Sequence, residues 1–190
     1  MKKTTIKQLS TFCLLILMLL LNACVLSSKQ PLSEEAQASW DKRLLGVWYW
    51  QEDNEIVYLH IGQLKDSNGL RVILVEHQKS GIKQAEYRGH VTQLQIGQIL
   101  NLRGLKKGKY SDWLFARYTI SSDGSLSLSF ALPKAGIKPI TTGQLKGKIN
   151  KGQFLTSVTL NDEGSKIRTF FEQASDLFAK QGMTFRRISL

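Results

Sequence analysis

The 190-residue sequence predicts a mainly β fold. Its strands suit a single antiparallel β-barrel of about eight strands, with a short N-terminal helix and a C-terminal amphipathic helix followed by a last strand. Three observations carry this. Between Leu45 and Leu160 apolar and polar residues alternate, most clearly where Leu126, Leu128, Phe130 and Leu132 interleave with Ser125, Ser127, Ser129 and Ala131. Turn residues such as Asp66-Ser67-Asn68-Gly69 and Ser121-Ser122-Asp123-Gly124 punctuate these runs. The period then switches to helical at Ile167, Phe170, Phe171, Ala174, Leu177 and Phe178, which form one apolar stripe. A β-sandwich is the rival packing of the same strands.

The chain opens with Lys2, Lys3 and Lys7, continues with the apolar run Leu14–Leu21, and places the small residue Ala23 before Cys24. That order of charge, apolar run and small residue is the layout of an export signal. A spanning helix needs about 20 apolar residues, and this run is shorter. Ser33, Glu34 and Glu35 read as the start of a short helix reaching about Lys42, with an N-cap and acidic residues in its first turn. Residues 25 to 32 read as a tether, polar and closed by Pro31. With the residues up to 40 its reach is about 50 Å.

Val57, Leu59 and Ile61 alternate with Tyr58 and His60, the pattern of a half-buried strand. Val72, Ile73, Leu74 and Val75 run together, as in a strand covered on both faces. Strands are further expected at 85–94, 96–103, 113–120, 144–150 and 154–160, with 134–142 either a short helix or an irregular crossing. The late helix is expected to end near Gln181-Gly182, with glycine in the left-handed cap position. The last strand, 183–190, carries Arg186 and Arg187.

Once Cys13 and Cys24 are set aside with the leader, no thiol is left for a disulfide. The formal charge is +11, of which the leader lysines supply three. A basic exported domain suits an anionic neighbour such as a lipid headgroup or a cell-wall polymer, and export argues against nucleic acid. Charge that serves solubility alone is the plainer alternative.

The chemistry of catalysis is sparse. His60, His77 and His90 fall on separate strands without metal-ligand spacing. No G-x-S-x-G elbow occurs, and Gly104 to Lys109 lacks the spacing of a phosphate loop. Glu76 and Glu86, each close to a histidine, are the least ordinary carboxylates. The reading is therefore not an enzyme, with no cofactor and no metal. Two basic clusters stand out, Lys106, Lys107 and Lys109 on one loop and Lys146, Lys148 and Lys151 near another. If they share one end of the barrel they form a rim for an anionic partner. Tyr49, Trp50, Tyr58 and Tyr87 are amphipathic aromatics suited to the mouth of a cavity, or equally to core packing.

Leu21-Asn22-Ala23-Cys24 resembles the lipobox of bacterial lipoproteins. The resemblance implies that residues 1–23 are a cleaved lipoprotein signal peptide and that acylated Cys24 holds the protein to a membrane. An ordinary cleaved signal is the alternative. Residues 24–40 are then the lipidated tether and short helix, and 41–190 the barrel domain with its C-terminal helix. Val25 stands where an aspartate signals inner-membrane retention, which implies the outer membrane, facing the periplasm.

Gly46-Val47-Trp48 resembles the G-x-W motif of lipocalins, whose tryptophan closes the bottom of the barrel. Lipocalins also pack a late arginine over that tryptophan; here Arg186 or Arg187 is the candidate. The run Leu114 to Tyr118, with Leu126-x-Leu128, resembles small bacterial lipoproteins of unassigned function and implies no activity. Two functions follow as expectations. The first is a lipid-anchored protein that binds a small apolar or amphipathic ligand inside a lipocalin-like barrel. The second is a structural or interaction protein that contacts a membrane protein or anionic envelope polymer through its basic loops.

Overall fold

The computed structural model describes residues 25–39, 41–52, 55–152 and 155–188. Cys24 and its leader therefore lie outside the described residues. Eight of the described strands close a cylinder. Seven follow one another by tight turns: β2 (Gly46–Glu52), β3 (Glu55–Gln63), β4 (Leu70–Gln78), β5 (Gly81–Leu94), β6 (Gly97–Lys106), β7 (Lys109–Ile120) and β8 (Leu126–Phe130). The eighth is the last strand, β11 (Met183–Arg187), which slots between β8 and β2 and is antiparallel to both. The antiparallel barrel predicted from alternation is thus formed, with β6–β7 pairing completing the ring.

Hairpin chemistry sets the register. At the β6–β7 turn Lys107 and Gly108 both take positive φ, 50° and 74°. Turns of this hand match the right-handed twist of paired strands. With register set, alternation decides the faces. Trp48, Trp50, Val57, Leu59, Val72, Leu100, Leu102, Leu126, Leu128 and Phe185 gather in the first apolar core, inside the cylinder.

A second core lies outside it. β7 is twelve residues long and β8 only five, so the first half of one β7 edge has no partner from β8. The strand β1 (Leu26–Ser28) takes that edge, with Ser27 opposite Leu114 and Ser28 opposite Trp113. It also runs parallel to β10 (Thr156–Leu160), which in turn pairs with β9 (Gly147–Lys151). The helices α1 (Pro133–Thr141) and α2 (Gly164–Gln173) complete this annex. Leu26, Ile99, Phe115, Val158, Leu160, Ile167 and Phe171 are its fully buried centre.

The structure departs from the sequence reading at four places. Residues 25–32 are not a free tether: Leu26 and Leu32 are buried, and the Leu32 amide donates to Asn101 Oδ1 at 2.9 Å. Apolar burial and edge pairing outweigh the freedom of a polar linker. The short N-terminal helix is a pair of 3-10 turns, Glu35–Gln37 and Lys42–Leu44. Ser33 does not cap it, because its hydroxyl meets Thr92 Oγ1 at 2.6 Å instead. The pair β9 and β10 stands outside the ring, since alternation reveals faces but not sheet membership.

The late helix stops at Gln173, and Leu177 and Phe178 reach the annex core from extended chain. There the edge left open past β8 supplies backbone partners: the Leu132 amide donates to Leu177 O, and the Ala179 amide to Phe130 O. Gly182 accordingly caps no helix. A Cβ there would lie 2.6 Å from Leu128 O, so glycine permits the close pass of the chain over β8.

Candidate functional site

Inside the barrel the inward side chains do not fill the space. A cavity of about 80 Å³ remains, lined chiefly by aliphatic and aromatic side chains from β2 to β8 and β11. Its upper part is framed by Trp50, Tyr87, Leu114, Phe130 and Met183. Drug-sized pockets begin at roughly 300 Å³. This one is several-fold smaller and almost wholly apolar.

One lining side chain carries charge. Glu76 occupies an inward position of β4 and is only 8% exposed. Cross-strand register places it level with Val57 on β3 and Lys83 on β5. Burial raises its carboxyl above the usual range; Lys83 pulls the other way, and the nearby Glu55 adds to the rise. Glu55 Oε2 is itself buried and has no hydrogen-bond partner among the described residues. The upper barrel thus offers an apolar slot with a small polar group at one side. Tyr87, beside it, has its phenol pushed up by burial and by Glu76.

The four aromatics picked from the sequence divide evenly. Trp50 and Tyr87 line the cavity. Tyr49 and Tyr58 do not: they pair with each other across β2–β3, on the outward parity. Tyr58 packs edge-on against His77 there, with ring centroids 5.6 Å apart. A period of two cannot send neighbouring residues to the same face, so of Tyr49 and Trp50 only one was able to point in, and Tyr58 lies between the inward Val57 and Leu59.

Below the cavity, Trp48 is fully buried, and its Nε1–H donates to Leu44 O at 2.8 Å. The guanidinium of Arg187 sits 4.5 Å from its ring centroid and donates to Arg43 O. Arg186 is exposed and lies opposite Tyr49, so of the two late arginines Arg187 is the one over the tryptophan. Gly46 has φ of 130°, and a Cβ there would pack 3.6 Å from Arg187 Nη1. The glycine serves this corner by its backbone conformation.

The lysines do not form one rim. Lys106, Lys107 and Lys109 surround the β6–β7 turn, whereas Lys148 is level with Thr159, Ser27 and Leu114. That is three strands across and five residues along from Lys109, roughly 20 Å at about 4.8 Å per strand and 3.4 Å per residue. Lys146 precedes β9 and caps the Asp162 carboxylate through its backbone N–H, at 2.9 Å. All five are exposed.

The histidines remain apart. His90 is buried, with Nε2 2.7 Å from Ser33 O and its ring edge-on to Trp113. Burial lowers its pKa. Among the described residues no three His, Cys, Asp or Glu side chains converge as a metal site requires. Sequence reasoning singled out Glu76 for its neighbouring histidine, yet His77 points outward. Inward parity with Leu74 and Val72 was the signal that placed it in the cavity. The chain matches no protein-family model, no curated protein and no solved structure.

Proposed function

We propose that this chain is a lipid-anchored envelope protein, not an enzyme, whose barrel binds a small apolar or amphipathic ligand. The apolar cavity carries the reading: a closed barrel that leaves space among aliphatic side chains is suited to hold a chain that water rejects. Glu76, with Lys83 across the strand pair, gives an amphipathic ligand a polar point of contact. The floor made by Trp48 under Arg187 supports the lipocalin resemblance. The lipobox-like leader supports the anchor and an outer-membrane, periplasm-facing location. Val25 and Leu26 are buried, so an acylated Cys24 would hold the domain against its membrane with almost no slack.

Two experiments test this. Incorporation of labelled palmitate is expected in the native chain and lost in Cys24→Ser. Native mass spectrometry of Cys24→Ser, purified without detergent and then extracted with organic solvent, is expected to release a narrow-chain amphiphile. Leu128→Trp fills the cavity and should leave the protein bare. If both forms are bare and neither takes up an aliphatic fluorescent probe, the barrel is not a binding site and the reading fails.

A further inference from the structure

The outer wall of the barrel carries a feature that ligand binding inside does not explain. Register sets Arg71 on β4 opposite Arg88 on β5, and Arg88 opposite Arg103 on β6. Three guanidinium groups thus stand in one cross-strand row, an arrangement in which directly opposed like charges destabilise the sheet. Among the described residues only Arg71 is hydrogen-bonded to a carboxylate: it makes a two-pronged contact with Glu86, at 2.9 and 3.2 Å, and Glu86 also feels the charge of Arg88.

Arg103 is held by aromatic faces instead, 4.0 Å from the Tyr110 centroid and 4.7 Å from that of Trp113. Stacking fixes the plane of the guanidinium while leaving its edge N–H groups to donate. The Nε atoms of Arg88 and Arg103 are shielded from water, yet neither has an acceptor among the described residues. A buried donor without a partner costs about 1–3 kcal/mol, more when charged. An anion held by the outer N–H groups of the two opposed guanidinium groups would offset their repulsion.

The space for it is present. A pocket of about 260 Å³ opens between Arg88, Arg103 and the β3–β4 turn, where Lys65 and Ser67 add donors. The Ser67 hydroxyl accepts from the Gly69 amide at 3.0 Å, which leaves its proton to give. Glu35 also borders the pocket, so three cations face one carboxylate. Two guanidinium forks, an ammonium and a hydroxyl around one pocket offer more donors than a single carboxylate can accept from, which suits the additional oxygens of a phosphate.

We propose that Arg88 and Arg103, with Lys65 and Ser67, form a phosphate-binding site on the outside of the barrel. The phosphate is carried either by a free phosphorylated small molecule or by a lipid headgroup. The site is independent of the interior cavity.

The test is thermal unfolding of the full-length protein in a non-ionic detergent. Inorganic phosphate is titrated at constant ionic strength against chloride. A saturable rise in Tm is expected for the native chain, as for any ligand that binds only the folded state. Without phosphate, Arg88→Gln should melt no lower than the native chain, because it removes a charge opposed on both sides; Arg103→Gln also loses its stacking on Tyr110 and Trp113 and is read by phosphate affinity alone. Both should weaken phosphate binding at least tenfold. Lys106→Gln, with the same charge change at an exposed turn, should bind as the native chain does. Glycerophosphoglycerol, a deacylated phosphodiester headgroup, separates the sources: tighter binding than inorganic phosphate assigns a lipid headgroup, weaker binding a free phosphate monoester. The proposal is overturned if neither probe saturates, if the two arginine variants bind unchanged, or if Lys106→Gln loses as much as they do.

Discussion

The two cores of this protein lie on opposite sides of one sheet wall and are packed differently. The annex core is aromatic and interlocked: Phe171 touches Phe115, Phe170 and Phe178 edge-on, with centroids 4.7, 5.8 and 6.1 Å apart. The barrel core holds aromatics too, among them Trp48, Tyr118 and Phe185, but it leaves a cavity. The difference teaches where rigidity is kept. β1, β10 and the two helices cover the open β7 edge and brace the wall from outside, which frees the interior from having to be filled. Space can persist inside a barrel more readily when closure is secured from outside.

The sharpest way to break this comparison is to delete matched side chains. Phe171→Ala is expected to cost about 4 kcal/mol, as buried aromatic deletions do, while Leu128→Ala on the cavity wall should cost nearer 2–3 kcal/mol. Urea unfolding of both variants measures the gap. Equal costs would mean that the inner wall is packed as tightly as the annex, and the division of labour would fall.

The next largest effect concerns residues 32–39, a strap from Leu32 in the annex core to the bridge of Ser39 with Val91 of the barrel core. Asn101 is fully buried on the outer face of β6, accepting from the Leu32 amide and donating to Thr92 Oγ1 at 2.8 Å. Asn101→Ala leaves the buried Leu32 amide unpaired and takes one of two partners from Thr92 Oγ1, which keeps Ser33; it should cost about 2 kcal/mol. Its hydrogen exchange should rise first at Leu32 and Ser39, the residues fastened to β5 and β6. A uniform rise across the barrel would show that the strap is not a separate unit.

Arg187→Gln comes third. It removes the cation over Trp48 and a donor to Arg43 O. At this exposed position the loss should be about 1 kcal/mol, with the Trp48 emission shifted to the red. No spectral change would separate Arg187 from the floor of the barrel.

The comparison also explains what could be read without coordinates. Serine-leucine alternation over 125–132 settled which residues of β8 face inward, and the same logic held for Val57, Leu59 and Ile61. Period alone could not show that β9 and β10 lie outside the ring, because a strand in the annex alternates just as one in the barrel does. The stripe from Ile167 to Phe178 was correctly apolar but only half helical; backbone partners at Phe130 and Leu132 decided the rest. The cavity was invisible, since filled and hollow barrels share one inward pattern. The row of Arg71, Arg88 and Arg103 was hidden for another reason. It exists only in the register that two hairpin turns impose on residues 17 and 15 positions apart in sequence.

The smallest expected effect probes the interior through the carboxyl group in its wall. Burial raises the Glu76 carboxyl in the folded protein, so the folded state holds its proton more tightly than the unfolded chain does. The linkage sign follows: the protein gains from a protonated Glu76 below the unfolded value of about 4.3, and that gain is lost as pH rises through the higher folded-state value. Glutamine does not titrate. Glu76→Gln should therefore match the native chain near pH 4 and become progressively more stable than it toward pH 7. Urea midpoints of the pair at successive pH values measure this difference, in which every other titrating group cancels. A difference that stays flat with pH would mean that Glu76 is well solvated. The barrel interior would then be wet where an apolar ligand needs it dry, and the contrast between a sealed annex and a dry, receptive barrel would lose its basis.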